Sequence, residues 1–275
     1  MIQNLSVLKF LLSLFLPLFL FSNSVIVSVL PHKFFVDKIS GKTLEVIVMI
    51  PAGASPHTYE APPKMVLAAS QADIWFTIGE GFEKKAIDAI QANHALKVVD
   101  LRKGLDLIPA ACCHGGDDLH IWMSLRLAEI QAKTIARALI EQYPDNKALY
   151  EGNLNLFVNE LRALDNKISS ELAPFKGRTV LVSHAAYGYF CRDYGINQLS
   201  IEVEGHEPTP KRTVMLLKEA KKLNISTIFV QPQYSVKGAE IFARNLNARL
   251  VALDPYAEDY LKSMEEIANA FKEAL

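Results

Sequence analysis

The stretch of sequence that decides the fold is residues 145–172, DNKALYEGNLNLFVNELRALDNKISSEL. Apolar residues recur in it at helical spacing, and it holds no Pro and no Gly beyond Gly152. At 1.5 Å per residue the predicted helix is roughly 42 Å long, which exceeds the usual length of a globular helix. With its flanking residues it is assigned to 144–174, where it predicts one long, rigid backbone helix between two lobes.

The residues on both sides of this helix alternate between short apolar runs and helical patterns. Such alternation is typical of α/β proteins with parallel sheets. Strands are predicted at 25–30, 44–50, 74–78 and 96–99 before the helix, and at 179–182, 199–203, 226–230 and 249–253 after it. Further helices are predicted at 62–71, 82–91, 118–141, 185–194, 210–223, 236–246 and 257–274. The predicted fold class is therefore α/β, with two βα lobes, 25–143 and 175–275, that each hold about four parallel strands.

Residues 1–24 differ from the rest of the chain. Lys9 is followed by an apolar run over 10–21, and the small residues Ser22 and Ser24 stand at positions −3 and −1 of a cut after Ser24. This layout predicts a secretory signal peptide over 1–24, because the run is shorter than the ~20 residues of a transmembrane helix. An uncleaved N-terminal anchor is the alternative. No Cys lies near the cut, so we expect a periplasmic protein that has no lipid anchor and, after cleavage, does not span the membrane.

The composition excludes one class of partner. The 275 residues carry 29 basic and 30 acidic side chains, and their mean hydropathy is +0.14. Without a basic excess we expect no nucleic-acid partner. The three cysteines, Cys112, Cys113 and Cys191, cannot all pair within one chain, so the protein is not a disulfide scaffold. We expect a monomer.

Three histidines and one aspartate have similar positions relative to the predicted strands. His57 lies in the loop after the second strand, His120 follows the fourth, His184 comes directly after 179–182 and its neighbour Ser183, and Asp254 ends the last strand. Because ligands bind beyond the carboxyl ends of parallel strands, we expect these four side chains to converge. Three imidazoles and one carboxylate suit a divalent ion such as Zn²⁺. The alternative stays open at this point, since a histidine taken singly is more often structural or exposed than a ligand.

Four short motifs carry a resemblance to a known family. They are GASPHTYEAP (53–62), DLHIWMS (118–124), VSHAAYGYF (182–190) and LDP (253–255). In this order, and over essentially the whole mature chain, they resemble the solute-binding proteins that supply zinc or manganese to ABC transporters. One departure is Leu119, where the family usually has Pro.

The resemblance implies that His57, His120, His184 and Asp254 hold an ion between two lobes joined by a rigid helix. It also implies an inner-membrane ABC permease, with its cytoplasmic ATPase, as the partner. Manganese-binding members usually have Glu where this chain has His184, so the resemblance favours Zn²⁺ as the transported ligand. Mn²⁺ and Fe²⁺ are the alternatives.

Two further groups of residues are candidates for the site. Glu60 has two interpretations. It is either a site residue, which orients a histidine or binds the ion in another state of the cleft, or an ordinary carboxylate at the start of a helix. The loop before His120 is interpreted either as a metal-collecting loop or as a plain solvent loop. Its candidate residues are Cys112, Cys113, His114, Asp117 and Asp118.

We do not expect an enzyme. A zinc-dependent hydrolase is the alternative of another class, with Glu60 as its candidate base. Catalytic zinc keeps a position open for water, which Asp254 would fill, and the chain has no His-Glu-x-x-His motif. An adhesin-like or metal-buffering protein of the same fold is a third hypothesis, weakened by the lack of a Cys anchor.

Overall fold

The first lobe is built on a four-stranded parallel sheet. The computed structural model describes residues 23–92, 95–110, 116–202 and 208–275. Strands β1 (Ser24–Val27), β2 (Glu45–Val48), β3 (Ile74–Thr77) and β4 (Lys97–Asp100) lie in the order β2-β1-β3-β4. Every pair is parallel.

The second lobe repeats this arrangement. Strands β5 (Thr179–Val182), β6 (Asn197–Ser200), β7 (Thr227–Val230) and β8 (Arg249–Ala252) lie in the order β6-β5-β7-β8, again with parallel pairing. Both sheets reverse their winding at the first strand, and ligands bind beyond the strand ends at such a switch point. The predicted class, two βα lobes with four-stranded parallel sheets, is confirmed.

Nine helices surround and connect the sheets in the described part of the chain. They are α1 (Leu30–Ser40), α2 (Pro63–Ala69), α3 (Gly81–Gln91), α4 (Leu125–Gln142), α5 (Lys147–Leu172), α6 (Gly188–Tyr194), α7 (Pro210–Lys222), α8 (Lys237–Leu246) and α9 (Tyr260–Ala274). The predicted start of α7 is confirmed, because Thr209 caps it with Pro210 at the first position. Within the described residues, no helix combines the length and the apolar character needed to cross a membrane.

Helix α5 is the predicted long helix. Its 26 residues span roughly 39 Å. It packs against α1 and α4 on the side of the first lobe and against α9 on the side of the second. Tyr150, Phe157, Leu161, Ile168 and Leu172 form its buried face. Because one continuous helix contacts both lobes, bending between them is resisted along its whole length.

The structure differs from the sequence prediction at several helices, among them α1, α4 and α6. Helix α1 was not predicted, although Phe35, Val36 and Ile39 lie at helical spacing and are fully buried. Helix α4 begins at Leu125, seven residues later than predicted, because the Ser124 hydroxyl accepts a hydrogen bond from the Leu127 amide and caps it. Helix α6 begins at Gly188 rather than near residue 185. Residues 118–124 and 184–187 therefore lie ahead of these helices, at the carboxyl ends of strands.

Trp122 connects the two lobes next to the strand ends. Its side chain is fully buried, and its indole N–H donates to the carbonyl of Pro255 at 2.8 Å. The hydroxyl of Tyr260 donates to the Trp122 carbonyl at 2.6 Å. These bonds hold the loop ahead of α4 against the loop between β8 and α9, so residues of both lobes meet at one place.

Candidate metal centre

Three of the four predicted ligands converge. His57 lies in a 3-10 turn after β2, His120 immediately precedes another such turn, and His184 follows β5. One ring nitrogen from each of the three lies within 4.8 Å of the other two. His120 and His184 are buried, whereas 30% of the His57 side chain is exposed. His57 therefore forms the solvent-facing side of the cluster.

The spacing of the nitrogens suits a tetrahedral ion. Nε2 of His57 lies 3.3 Å from Nε2 of His184. Zinc binds histidine nitrogen at about 2.0–2.1 Å, so two such ligands at a tetrahedral angle are roughly 3.3 Å apart. The pair already has the separation that the ion requires, and the residues present fit a zinc-type site.

Each histidine of the cluster has a carboxylate beside its Nδ1 atom. For His120 it is Asp118, at 2.7 Å, for His184 it is Glu202, at 3.5 Å, and for His57 it is Glu80, at 3.7 Å. A carboxylate on one ring nitrogen favours the tautomer that leaves the other nitrogen available as a ligand. The three rings are therefore arranged to present Nε2 to a shared centre.

Sequence reasoning did not identify Glu80 or Glu202. Both come shortly after a strand, Glu80 three residues after the end of β3 and Glu202 two residues after the end of β6. A search of strand ends for carboxylates as well as histidines would have found them, since all parallel strands end at the same edge. Glu60, the predicted orienting carboxylate, is exposed and lines an open groove of about 480 Å³ beside His57.

The charges around the cluster act differently on two of its histidines. Burial alone would lower the pKa of His57, but hydrogen bonding to Glu80 and the charges of Glu80, Asp118 and Glu202 outweigh it, so this pKa is raised. The pKa of His184 is lowered well below its usual value by burial and by the neighbouring His120 and His57. Of these two histidines, His57 therefore takes up a proton more readily, and the His184 ring stays neutral, as ligation requires.

Two tyrosine hydroxyls also reach the cluster. The Tyr256 hydroxyl lies 2.9 Å from Nε2 of His120, and the Tyr234 hydroxyl lies 3.2 Å from Nε2 of His184. The Tyr234 ring stacks on His184 with ring centroids 4.2 Å apart. Burial raises the pKa of Tyr234 to about 12 and that of Tyr256 well above its usual value, so both hydroxyls keep their proton at neutral pH. No motif in the sequence pointed to either residue.

Asp254 is not part of the close group, which among the described residues consists of the three histidines alone. Its Oδ1 accepts hydrogen bonds from the Gln233 side chain at 2.7 Å and from the Tyr256 amide at 2.9 Å. It is part-buried and follows β8, the position expected from the sequence. Its role as the fourth ligand remains a prediction.

The predicted metal-collecting loop lies only partly within the described residues. Cys112, Cys113 and His114 lie outside them. Asp117 is exposed. Asp118 is buried, and its Oδ1 accepts from both the amide and Nδ1 of His120, at 2.9 and 2.7 Å. Asp118 therefore contacts His120 and does not face solvent, and a part for this loop in collecting metal stays a prediction.

Comparisons with known proteins show the family of this chain. The family model described as "Zinc-uptake complex component A periplasmic" matches residues 25–274. A protein of Chlamydia muridarum that is described as metal-binding is 38% identical over 251 residues, and the match covers 90% of each chain. The manganese-binding lipoprotein MntA of Halalkalibacterium halodurans is 28% identical and covers 71% of this chain and 66% of its own. A crystal structure of ZnuA superposes with a TM-score of 0.86 at 34% identity, covering 92% of this chain and 99% of that one.

The two sheets, the joining helix and the histidine cluster at the strand ends define a solute-binding protein of a metal ABC transporter. The chain belongs to the zinc-uptake complex component A family. Members of this family are extracytoplasmic and work with an ABC permease and its ATPase. They bind substrates for transport and are not enzymes, which rejects the zinc-hydrolase alternative.

Proposed function

We propose that this protein captures Zn²⁺ between its two lobes and delivers it to an inner-membrane ABC permease driven by a cytoplasmic ATPase. His57, His120 and His184 bind the ion through Nε2, and Asp254 supplies the fourth ligand. The observation that carries the proposal is the convergence of three imidazoles, two of them with Nε2 atoms 3.3 Å apart, each with a carboxylate beside Nδ1.

The ligand chemistry supports zinc over the other metals of the family. Mn²⁺ binds most weakly in the first-row series and prefers carboxylate ligands, whereas three imidazoles suit Zn²⁺. Mn²⁺ and Fe²⁺ remain the alternatives, and the similarity to the manganese-binding lipoprotein is the reason to test them.

The fourth ligand requires a small movement. Oδ1 of Asp254 is held by Gln233 and by the amide of Tyr256. Because α5 is continuous and packs against both lobes, we propose a slight rocking of the lobes rather than a wide hinge closure. Crystal structures with and without the ion would test this, and a large closure between them would contradict it.

We infer that the protein is exported. Residues 1–24 act as a signal peptide that is removed after Ser24, and the mature protein is a monomer in the periplasm without a lipid anchor. Some relatives are lipoproteins, so the mass of the exported chain is informative. A chain that begins at Val25 and carries no lipid supports the proposal.

The decisive experiment is competitive titration of the purified protein with Zn²⁺ and Mn²⁺ against a chelator of known affinity. We expect one Zn²⁺ per chain and a clear preference for zinc. The variant His120→Ala should lose more than about 100-fold in zinc affinity, because removing even an outer partner of a ligand costs 10–100-fold. Preferential retention of Mn²⁺ would overturn the choice of metal, and full affinity in His120→Ala would overturn the site.

A further inference from the structure

We propose that the hydroxyls of Tyr256 and Tyr234 compete with the metal ion for the histidine nitrogens, so that this tyrosine pair sets how tightly and how fast the cargo binds. The inference rests on the proposed metal site and adds two residues that set its affinity.

His120 has a carboxylate beside one ring nitrogen and a hydroxyl beside the other. Its Nδ1 lies 2.7 Å from Oδ1 of buried Asp118, a carboxylate that can only accept, so the ring proton lies on Nδ1. Nε2 then carries a single lone pair, in the plane of the ring. The Tyr256 hydroxyl lies 2.9 Å from Nε2, within hydrogen-bond distance of that lone pair, and it also hydrogen-bonds the Tyr234 hydroxyl. With Nδ1 protonated, Nε2 is the acceptor in its bond with Tyr256. One lone pair cannot accept this hydrogen bond and bind a metal ion together, so the two states exclude each other.

The same exclusion holds at His184. The Tyr234 hydroxyl lies 3.2 Å from its Nε2, while Glu202 lies 3.5 Å from its Nδ1. Tyr234 is held over the ring by stacking at an interplanar angle of 20°. Two of the three proposed ligands are therefore capped by hydroxyls, whereas His57, on the solvent side, has no tyrosine hydroxyl among its hydrogen bonds in the described residues.

The contact between the Tyr256 hydroxyl and His120 joins the two lobes. Tyr256 belongs to the loop after β8, while His120 belongs to the first lobe. The Tyr256 ring is buried and packs on Trp122 with ring centroids 5.3 Å apart, so it cannot simply rotate away. Its hydroxyl leaves His120 when the loop shifts relative to the first lobe. Asp254 lies two residues away and accepts from the Tyr256 amide, so the same shift moves the proposed fourth ligand.

The order of events follows from this coupling. In the empty protein the hydroxyls cap the nitrogens, and an entering ion displaces them as the loop shifts and Asp254 moves. When the permease reverses the shift, the Tyr256 hydroxyl returns to Nε2 and competes with the ion. The tyrosine pair thereby lowers affinity and promotes release.

The test uses the full mature protein and the variants Tyr256→Phe and Tyr234→Phe, which remove one oxygen each and keep the ring. Each cap is an ordinary hydrogen bond, so we expect each variant to bind Zn²⁺ about three- to tenfold more tightly than wild type and to associate faster. Tyr194→Phe is the matched control, because its buried ring loses a hydroxyl bonded to Asp165 at 2.9 Å, away from the cluster. It should leave zinc binding unchanged.

A second measurement needs no metal. In nitrogen-15 NMR of the metal-free protein, Tyr256→Phe should shift the Nε2 resonance of His120 and leave that of His57 in place. Unchanged or weaker zinc binding in both tyrosine variants, with wild type still binding one ion, would overturn the inference and leave the proposed function standing. A wild-type protein that bound no zinc would overturn both.

Discussion

The change Asp118→Asn separates a role of Asp118 in holding His120 from a role in collecting metal from solvent. Asp118 is buried, and its Oδ1 accepts from the amide and from Nδ1 of His120 at 2.9 and 2.7 Å. Asn keeps an oxygen of the same size but removes the charge. If the loop only collected metal from solvent, exposed Asp117 would matter at least as much as Asp118.

The expected magnitude follows from these two bonds. Hydrogen bonds to a charged group contribute about 1.5–3 kcal/mol, against about 0.5–1.5 kcal/mol for neutral pairs. Losing the charge on the shorter bond leaves His120 less firmly oriented and less basic. We expect this to cost about 1.5 kcal/mol in the free energy of zinc binding, which is roughly tenfold in the zinc dissociation constant. This lies at the lower end of the 10–100-fold losses typical for such outer partners.

The assay is competition against a fluorescent zinc chelator, with circular dichroism to show that each variant is folded. Asp117→Asn is the matched control, since it makes the same chemical change one residue earlier, on an exposed side chain. We expect it to bind zinc as wild type does. Wild-type affinity in Asp118→Asn, or an equal loss in Asp117→Asn, would refute the argument that Asp118 acts through His120.

Three further predictions concern stability and the approach to the site. Burial lowers the pKa of His32 to about 4, below its unfolded value near 6.5. The contribution of His32 to the free energy of unfolding is therefore complete above pH 6.5 and is lost as the pH falls towards 4. Urea unfolding should show about 3 kcal/mol less stability from this group at pH 4, and the variant His32→Phe should make the stability less dependent on pH. In the same assay, Phe157→Ala should lower the free energy of unfolding by about 3–5 kcal/mol, because its side chain is buried. Leu156→Ala removes an exposed side chain and should change the free energy of unfolding by no more than about 0.5 kcal/mol. Equal losses in the two variants would contradict the assigned buried face of α5. A Cβ on Gly188 would lie 2.7 Å from Oδ2 of Asp118, so Gly188→Ala should weaken zinc binding severalfold, and unchanged affinity would contradict this contact.

Local patterns in the sequence determined the architecture. The long apolar periodicity of residues 145–172 predicts α5, and the alternation of short apolar runs with helices predicts two parallel sheets. The positions of His57, His120 and His184 relative to those strands were also readable, because all carboxyl ends of a parallel sheet lie at one edge. The start of α4 was not, since the cap at Ser124 makes the helix begin at Leu125, seven residues later than the apparently helical pattern suggests.

Only the tertiary structure decided what surrounds the histidines. The Tyr256 hydroxyl reaches His120 across 136 residues of chain, and Glu80 reaches His57 from a different strand. Neither contact leaves a periodic or spacing signal, because each depends on how loops of different elements meet once the sheets have packed. The sequence by itself therefore determined the fold and the three converging histidines, while packing decided their outer partners, since hydrogen bonds between distant residues require both groups to be placed within about 3 Å.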